Sequence, residues 1–151
     1  MAGKGKKRSA GGRAAADRVA QRLDALYAEL PSLECKGKCW KCCGKVLMAP
    51  GERERISREG GVDIPTVAEM RREHRELCVA LKDHRCTVYD VRPLVCRLWG
   101  IEETMRCPYG CVPEGGWMTT EEATHFRLRA WAIAGWSSDE DERLTPKQVL
   151  E

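Results

Sequence analysis

The segment Cys35-Lys36-Gly37-Lys38-Cys39-Trp40-Lys41-Cys42-Cys43 contains four cysteines within nine residues. The other five of the chain's nine cysteines lie between Cys78 and Cys111. Thiolates this close in sequence can converge on a cation with little loss of chain entropy, and sulfur is a ligand for both zinc and iron–sulfur clusters. The spacing therefore predicts a metal site around which the rest of the chain is organised.

A disulfide framework is the competing explanation for so many cysteines. It requires an oxidising compartment and normally a secretory signal. The first 13 residues contain no apolar run, and no segment approaches the roughly 18–20 apolar residues of a membrane span. We therefore expect a cytoplasmic protein without membrane association, whose reduced thiols are available to a metal.

The length of 151 residues corresponds to one small domain. Only one Phe and three Tyr accompany five Trp, and 32% of the residues are charged, so the apolar core is thin. We expect metal coordination to supply part of the folding free energy and the tryptophans to be buried against the metal-binding loops.

The net charge of +3 is unevenly distributed along the chain. Residues 1–22 carry seven Lys and Arg residues against Asp17 alone, a net charge of +6, so the remainder is acidic. We divide the chain into a disordered basic arm (1–13), a cysteine-cluster metal-binding domain (14–136) and a polar C-terminal tail (137–151). The arm is a candidate contact for nucleic acid or an acidic protein partner.

Hydrophobic periodicity predicts a mostly α fold, with irregular cysteine-rich loops between the helices. A first helix is expected from about Ala14, with Pro31 after its end. A short charged helix is expected near Gly51 to Glu59. A further helix should begin with Asp63 as its cap and continue towards Leu81.

The second half of the chain carries two clear helix starts. Pro93 predicts a short helix that carries Cys96, and the run Thr119-Thr120-Glu121-Glu122 is a capping box that opens a last helix up to Gly135. Within the second cysteine group, Cys86 to Tyr89 is expected to be extended.

Two blocks of the chain resemble the family named for the CxxCxxCC motif, which is described as a zinc- or iron-chelating domain. They are the Cys35 to Cys43 segment and the run Cys78-Val-Ala-Leu-Lys-Asp-His-Arg-Cys86-Thr-Val-Tyr89-Asp-Val-Arg92-Pro93-Leu-Val-Cys96-Arg97. The second block is similar to a C-x-x-L…C-x-[IV]-[YF]-x-x-R-P-x-x-C-R pattern that members often carry. The first spacing departs from the family name, because here it is Cys-x₃-Cys.

The resemblance implies eight metal ligands and leaves Cys111 as the spare cysteine. The implied ligands are Cys35, Cys39, Cys42, Cys43, Cys78, Cys86, Cys96 and Cys107. Adjacent side chains in extended backbone diverge, so Cys42 and Cys43 favour two metal centres or one polynuclear cluster over a single tetrahedral ion. Eight thiolates suit two zinc sites, two cubane clusters or one of each.

Several other residues are candidates for a part in the chemistry. Arg92 could donate hydrogen bonds to a carboxylate or to a ligand sulfur, and its alternative is a solvated surface arginine. His74, His84 and His125 are expected at the surface rather than at a metal. The chain has no nucleotide-binding fingerprint and no recognisable catalytic series.

Two functions are compatible with these patterns. The first is a metal-binding protein that, with an iron–sulfur cluster, supports electron transfer or a modification reaction. Members of the family have been labelled iron–sulfur oxidoreductases or zinc-binding proteins, and a related domain occurs in flagellin lysine N-methylases. The second is a zinc-stabilised structural or interaction module with a basic arm. All-cysteine spacing does not distinguish zinc from iron–sulfur, and no catalytic residue is identified.

Overall fold

The computed structural model describes residues 9–136, so most of the predicted arm and all of the predicted tail lie outside the described residues. Within that range the mostly α prediction is confirmed, and no helix there is long and apolar enough to span a bilayer. The helices are α1 (Ala10–Ala28), α2 (Pro50–Arg55), α3 (Val67–Arg72), α4 (Leu94–Leu98) and α5 (Thr120–Ala134), with a π-helical turn at Ile56–Gly60, a 3₁₀ turn at Tyr89–Val91, and a hairpin of β1 (Leu81–Lys82) and β2 (Arg85–Cys86).

The main core lies where the two long helices, α1 and α5, pack against each other. Leu23 and Leu26 of α1 meet Ala123 and Ala130 of α5. These alanines let the helices approach closely, and the small helix α4 adds Leu94 and Leu98 to the same cluster. This core therefore supports the helix that carries Cys96.

A second, smaller core lies under the cysteine-bearing loops. Its buried members are Met48, Ile56, Ile64, Ala80 and Val88. Cys78 and Cys86 are half-buried and pack against it. Apolar packing thus positions two of the predicted ligands.

Helix α1 begins earlier than the sequence predicted. The side chain of Ser9 accepts a hydrogen bond from the backbone N–H of Gly12, at 3.3 Å, and the helix starts at Ala10. Residues 10–13, predicted to be part of the arm, are helical because this cap extends the helix through the glycine pair.

The prediction for the third helix was wrong at both ends. Thr66 is the cap, with a capping box to Glu69, whereas Asp63 instead accepts a hydrogen bond from Ser57. The helix ends at Arg72, since His74 adopts a left-handed backbone conformation with a φ of 52°. The chain continues into the hairpin, so Leu81 is a strand residue.

Two other helix starts were predicted correctly, whereas the extended segment was predicted correctly only at its start. The short helix after Pro93 and the Thr119 capping box of α5 are confirmed. Of the segment predicted to be extended, only its start pairs as a strand.

Trp117 and Trp136 are 36% and 39% exposed, contrary to the expectation that the tryptophans would be buried. Arg106 lies over the Trp117 ring, and Trp136 packs edge-on against Trp131, so each retains a partner at the surface.

The buried carboxylate of Glu52 joins three helices. Its Oε1 atom accepts hydrogen bonds from the Tyr27 hydroxyl, at 2.5 Å, and from the Leu94 N–H, at 2.8 Å. Its Oε2 atom accepts from the Ala49 N–H at 2.9 Å. Burial and the nearby carboxylate raise the pKa of Tyr27, which keeps the hydroxyl protonated as a donor. Glu52 therefore connects α1, α2 and α4.

Replacing Glu52 by Ala should destabilise the fold by about 3 kcal/mol or more, because three buried donors lose their acceptor. Glu52→Gln should cost less, about 1–2 kcal/mol, because its carbonyl oxygen still accepts. Urea unfolding followed by circular dichroism measures both. Glu73→Ala, which removes an exposed carboxylate, is the control and should change stability by less than about 0.5 kcal/mol. Equal stability of Glu52→Ala and Glu73→Ala would contradict this role.

Candidate metal centre

All nine cysteines in the described part of the chain are free thiols. Cys111 is buried, Cys35 is exposed, and the other seven are half-buried. Half-buried thiols on loops are accessible to a metal and are also shielded from bulk water. The eight predicted ligands form two neighbouring groups.

The first thiol group consists of Cys35, Cys39, Cys42 and Cys107. The Cys39 thiol connects them, because it interacts electrostatically with Cys35 and Cys107 and forms a hydrogen bond with Cys42, which also interacts with the adjacent Cys43 thiol. The loop that carries Cys107 is fastened to the Cys35 segment by the Lys36 ammonium, which donates to the Tyr109 carbonyl at 3.0 Å. Gly100, with a φ of +86°, allows the close approach, since a Cβ there would lie 2.6 Å from Leu33 and 3.8 Å from the Cβ of Cys107.

The second thiol group consists of Cys43, Cys78, Cys86 and Cys96. The Cys78 N–H donates to the Cys43 carbonyl at 2.9 Å, which joins the two cysteine segments directly. Cys86 is brought in by the β-hairpin, whose two-residue turn at Asp83 and His84 uses left-handed backbone at both positions. Cys96 projects from α4, and Pro93 is the N-cap of that helix.

Burial and mutual repulsion disfavour ionised thiols in both groups. Burial raises the pKa of Cys96 to about 12, with further contributions from Cys78, Cys86 and Cys43. Burial also raises the pKa of Cys42 to about 12, and the neighbouring Cys43 and Cys39 thiols add to the rise. Several thiolates can coexist at this density only when a cation lies among them.

Cys107 differs from the other ligands in its electrostatics. Slight burial raises the pKa of Cys107, but the backbone of Cys111 and Tyr109, the Cys111 thiol and the Lys36 charge lower it below its ordinary value. The N–H of Tyr109 lies 3.4 Å from the Cys107 sulfur, and the N–H of Gly37 lies 3.3 Å from the Cys35 sulfur. Backbone donors to sulfur stabilise metal-bound thiolates.

The donor set fits a metal, although the side chains are not gathered into a coordination sphere. Within residues 9–136 no three His, Cys, Asp or Glu side chains are grouped closely enough to hold one ion. Eight reduced thiols with neighbouring cations and sulfur-directed N–H groups are the ligand chemistry of zinc and of iron–sulfur clusters.

A cavity of about 1200 Å³ adjoins both thiol groups. Six of the eight predicted ligands line it, namely Cys35, Cys39, Cys42, Cys43, Cys86 and Cys96. Its other walls come from α1, α4 and α5 and include Tyr27, Trp99 and Trp131. Ligand pockets usually measure about 300–1000 Å³, so this space is far larger than metal ions require.

Two arginines beside Cys96 line the same cavity. Arg97 donates to the carbonyls of Arg92, at 2.9 Å, and Asp90, at 2.8 Å, and its guanidinium lies 4.3 Å from the centre of the Tyr27 ring. Arg92 lies 3.7 Å from the centre of the Tyr89 ring, and its buried Nε has no hydrogen-bond partner among the described residues. Burial and the nearby Arg92 charge lower the pKa of Arg97.

Sequence reasoning singled out Arg92 but missed its neighbours in the cavity wall. Arg97 was quoted only as part of the second cysteine block, and neither Tyr27 nor Trp99 was considered as a site residue. The spacing of Arg92 and Arg97 by five residues around α4 was the available signal.

His84 is exposed, as expected, and its ring stacks on Trp40 with centroids 4.2 Å apart. This stack joins the hairpin turn of the second thiol group to the loop of the first. His84 therefore has a packing role at the boundary of the two groups.

The fold and its thiols define a cysteine-rich domain with metal-binding chemistry. The family model CxxCxxCC, "Putative zinc- or iron-chelating domain", matches residues 34–112, just over half of the 151-residue chain. The chain belongs to this family, as its two cysteine blocks predicted. No curated protein and no solved structure matches the chain.

Single serine substitutions should separate ligands from the spare cysteine. Cys39→Ser and Cys96→Ser should each release metal, because a hydroxyl is a much poorer ligand than a thiolate, whereas Cys111→Ser should retain the full complement. Metal analysis of the full-length variants measures this. Partial loss in each would indicate two centres, and complete loss in each would indicate one polynuclear cluster. Loss in Cys111→Ser together with retention in Cys107→Ser would overturn the ligand assignment.

Proposed function

We propose that this protein binds an iron–sulfur cluster or zinc through its eight thiols and, in the iron–sulfur form, supports electron transfer or a modification reaction in a reducing compartment such as the cytoplasm. The observation that carries the proposal is that six of the eight thiols, drawn from both groups, line one large cavity. Each group has the number of thiols that a Cys₄ zinc site or a cubane cluster uses.

The proposed ligands are Cys35, Cys39, Cys42 and Cys107 in one group, and Cys43, Cys78, Cys86 and Cys96 in the other. Bound zinc would fix the loops, whereas an iron–sulfur cluster would supply one-electron chemistry. Lys36, Arg92 and Arg97 would offset thiolate charge. The N–H groups of Gly37 and Tyr109 would donate hydrogen bonds to the ligand sulfurs.

The cavity is the reason for preferring a reactive site over a purely structural one. Structural metal sites are closed by protein, whereas reactive sites retain access for a further ligand. Here six of the eight thiols border a space large enough for an organic molecule. A site that only stabilised the fold would have no need of such a space.

The second candidate is a zinc-stabilised interaction module with a basic arm. It is favoured by one observation: Arg13, Arg18 and Arg22 of α1 are all exposed, and they continue the basic sequence that precedes the helix. Such charges attract polyanions without reading a sequence.

Metal analysis and an absorption spectrum of anaerobically purified protein test the first proposal. The iron–sulfur form should be coloured and contain iron and sulfide. With either metal, its removal should abolish cooperative thermal unfolding, since coordination would stabilise residues 35–107. A colourless protein with stoichiometric zinc would contradict the redox function. A chelated protein that kept its helical circular dichroism and melting midpoint would contradict the dependence of the fold on metal.

Deletion of residues 1–8 tests the second candidate, because it removes four basic residues and leaves the Ser9 cap of α1 intact. The deletion should weaken binding to nucleic acid and reduce its salt dependence, by up to about 0.9 in log–log slope for each phosphate that the arm neutralises. Titration at two salt concentrations measures both effects. A variant with Lys4, Lys6, Lys7 and Arg8 replaced by Gln controls for chain length. Binding equal to that of the intact chain in both variants would exclude a role for the arm.

A further inference from the structure

Among residues 9–136, the basic side chains in the cavity wall are only partly paired with carboxylates. Lys36, Lys45, Arg85 and Arg127 also line the cavity. Lys45 and Arg127 each form an ion pair, with Glu76 and Glu102 respectively, whereas Lys36 donates to the Tyr109 carbonyl and Arg85 is exposed. Arg92 and Arg97 have no carboxylate partner among residues 9–136. Two neighbouring guanidinium groups therefore line this space without forming an ion pair within the described residues.

These groups are held in place before any ligand arrives. The carbonyls of Asp90 and Arg92 fix the Arg97 guanidinium, and aromatic rings lie against both arginines. Two buried donors, the Nε of Arg92 and the Nε1 of Trp99, have no acceptor among the described residues. Arg92 and Trp99 both line the cavity, and a buried donor without an acceptor is costly.

We propose that the cavity binds an organic anion whose carboxylate or phosphate group pairs with Arg92 and Arg97. The planar guanidinium fork suits either group. The remaining wall is apolar and aromatic, with Tyr27, Trp99 and Trp131 among its residues, and suits a ligand with a substantial apolar body. Glu52, the carboxylate in this wall, already accepts three protein hydrogen bonds and would not compete for the arginines.

This inference deepens the proposed function by naming a substrate class for a site bordered by six thiols. It does not depend on which metal those thiols bind. The competing role for the two arginines is to neutralise metal-bound thiolates alone. In that case the metal-loaded protein would have no preference for an anion.

The test is calorimetric titration of the full-length protein, as purified, with naphthalene-2-carboxylate, 1-naphthyl phosphate and the neutral naphthalene-2-carboxamide. At least one anion should bind about tenfold or more tightly than the amide, because charge-assisted hydrogen bonds are lost with the charge. The tighter of the two anions would identify the head group. Equal binding of the amide, or binding of no anion to metal-loaded protein, would overturn the proposal.

Substitutions then locate the contact. Arg92→Gln and Arg97→Gln should each weaken anion binding about tenfold or more, and the exposed Arg72→Gln should leave it unchanged. An equal weakening in Arg72→Gln would show a diffuse charge effect and overturn the site. The comparison of anion with amide on unmodified protein remains decisive if an arginine variant folds poorly. Metal content is measured on the same samples, so metal-free protein that still prefers the anion would contradict the proposed function alone.

Discussion

The Glu52 carboxylate is the interaction on which the arrangement of this small domain depends. It holds the hydroxyl of Tyr27 and the backbone donors of Ala49 and Leu94 at one point. Through Leu94 it fixes the start of the helix that carries Cys96, and through Tyr27 it fixes a ring beneath Arg97. The buried carboxylate of Glu52 thus connects the α1–α5 core to the helix that carries Cys96.

The second constraint is electrostatic. Five half-buried thiols have raised pKa values because they are buried and, in addition, close to other thiols; they are Cys39, Cys42, Cys43, Cys78 and Cys96. Neutral thiols tolerate this crowding, and thiolates require a compensating cation. The lysines and arginines interleaved with the cysteines supply part of the compensation, as Lys36 does beside Cys107. One region of the chain therefore contains both the thiols that a metal would bind and the basic side chains that would offset their charge.

Local signals in the sequence predicted most of the helices. Thr119 with Glu122, and Pro93 before α4, give helix starts that need no tertiary information. The third helix was misjudged because Thr66 competes with Asp63 as a cap, and because the apolar residues Leu77 and Leu81 continue a helical period after the backbone has turned at His74. The hydrophobic periodicity of a sequence does not reveal where the backbone turns at a residue with positive φ.

The site was predictable only in part. Cysteine spacing indicated a metal and suggested that Cys42 and Cys43 serve different groups. It could not reveal which distant thiols join each of them, because that depends on the packing of the hairpin and of the Cys107 loop. The cavity and the unpaired Arg97 likewise arise from tertiary contacts between α1, α4 and α5.

The peptide bond between Cys42 and Cys43 links the two thiol groups covalently. Fixing the side chain at either position restricts backbone that belongs to both groups, so the conformational entropy of that segment is lost only once. Whichever group is ordered first leaves its neighbour closer to its final conformation. If both groups bind metal, occupation of one would therefore lower the entropic cost of ordering the other.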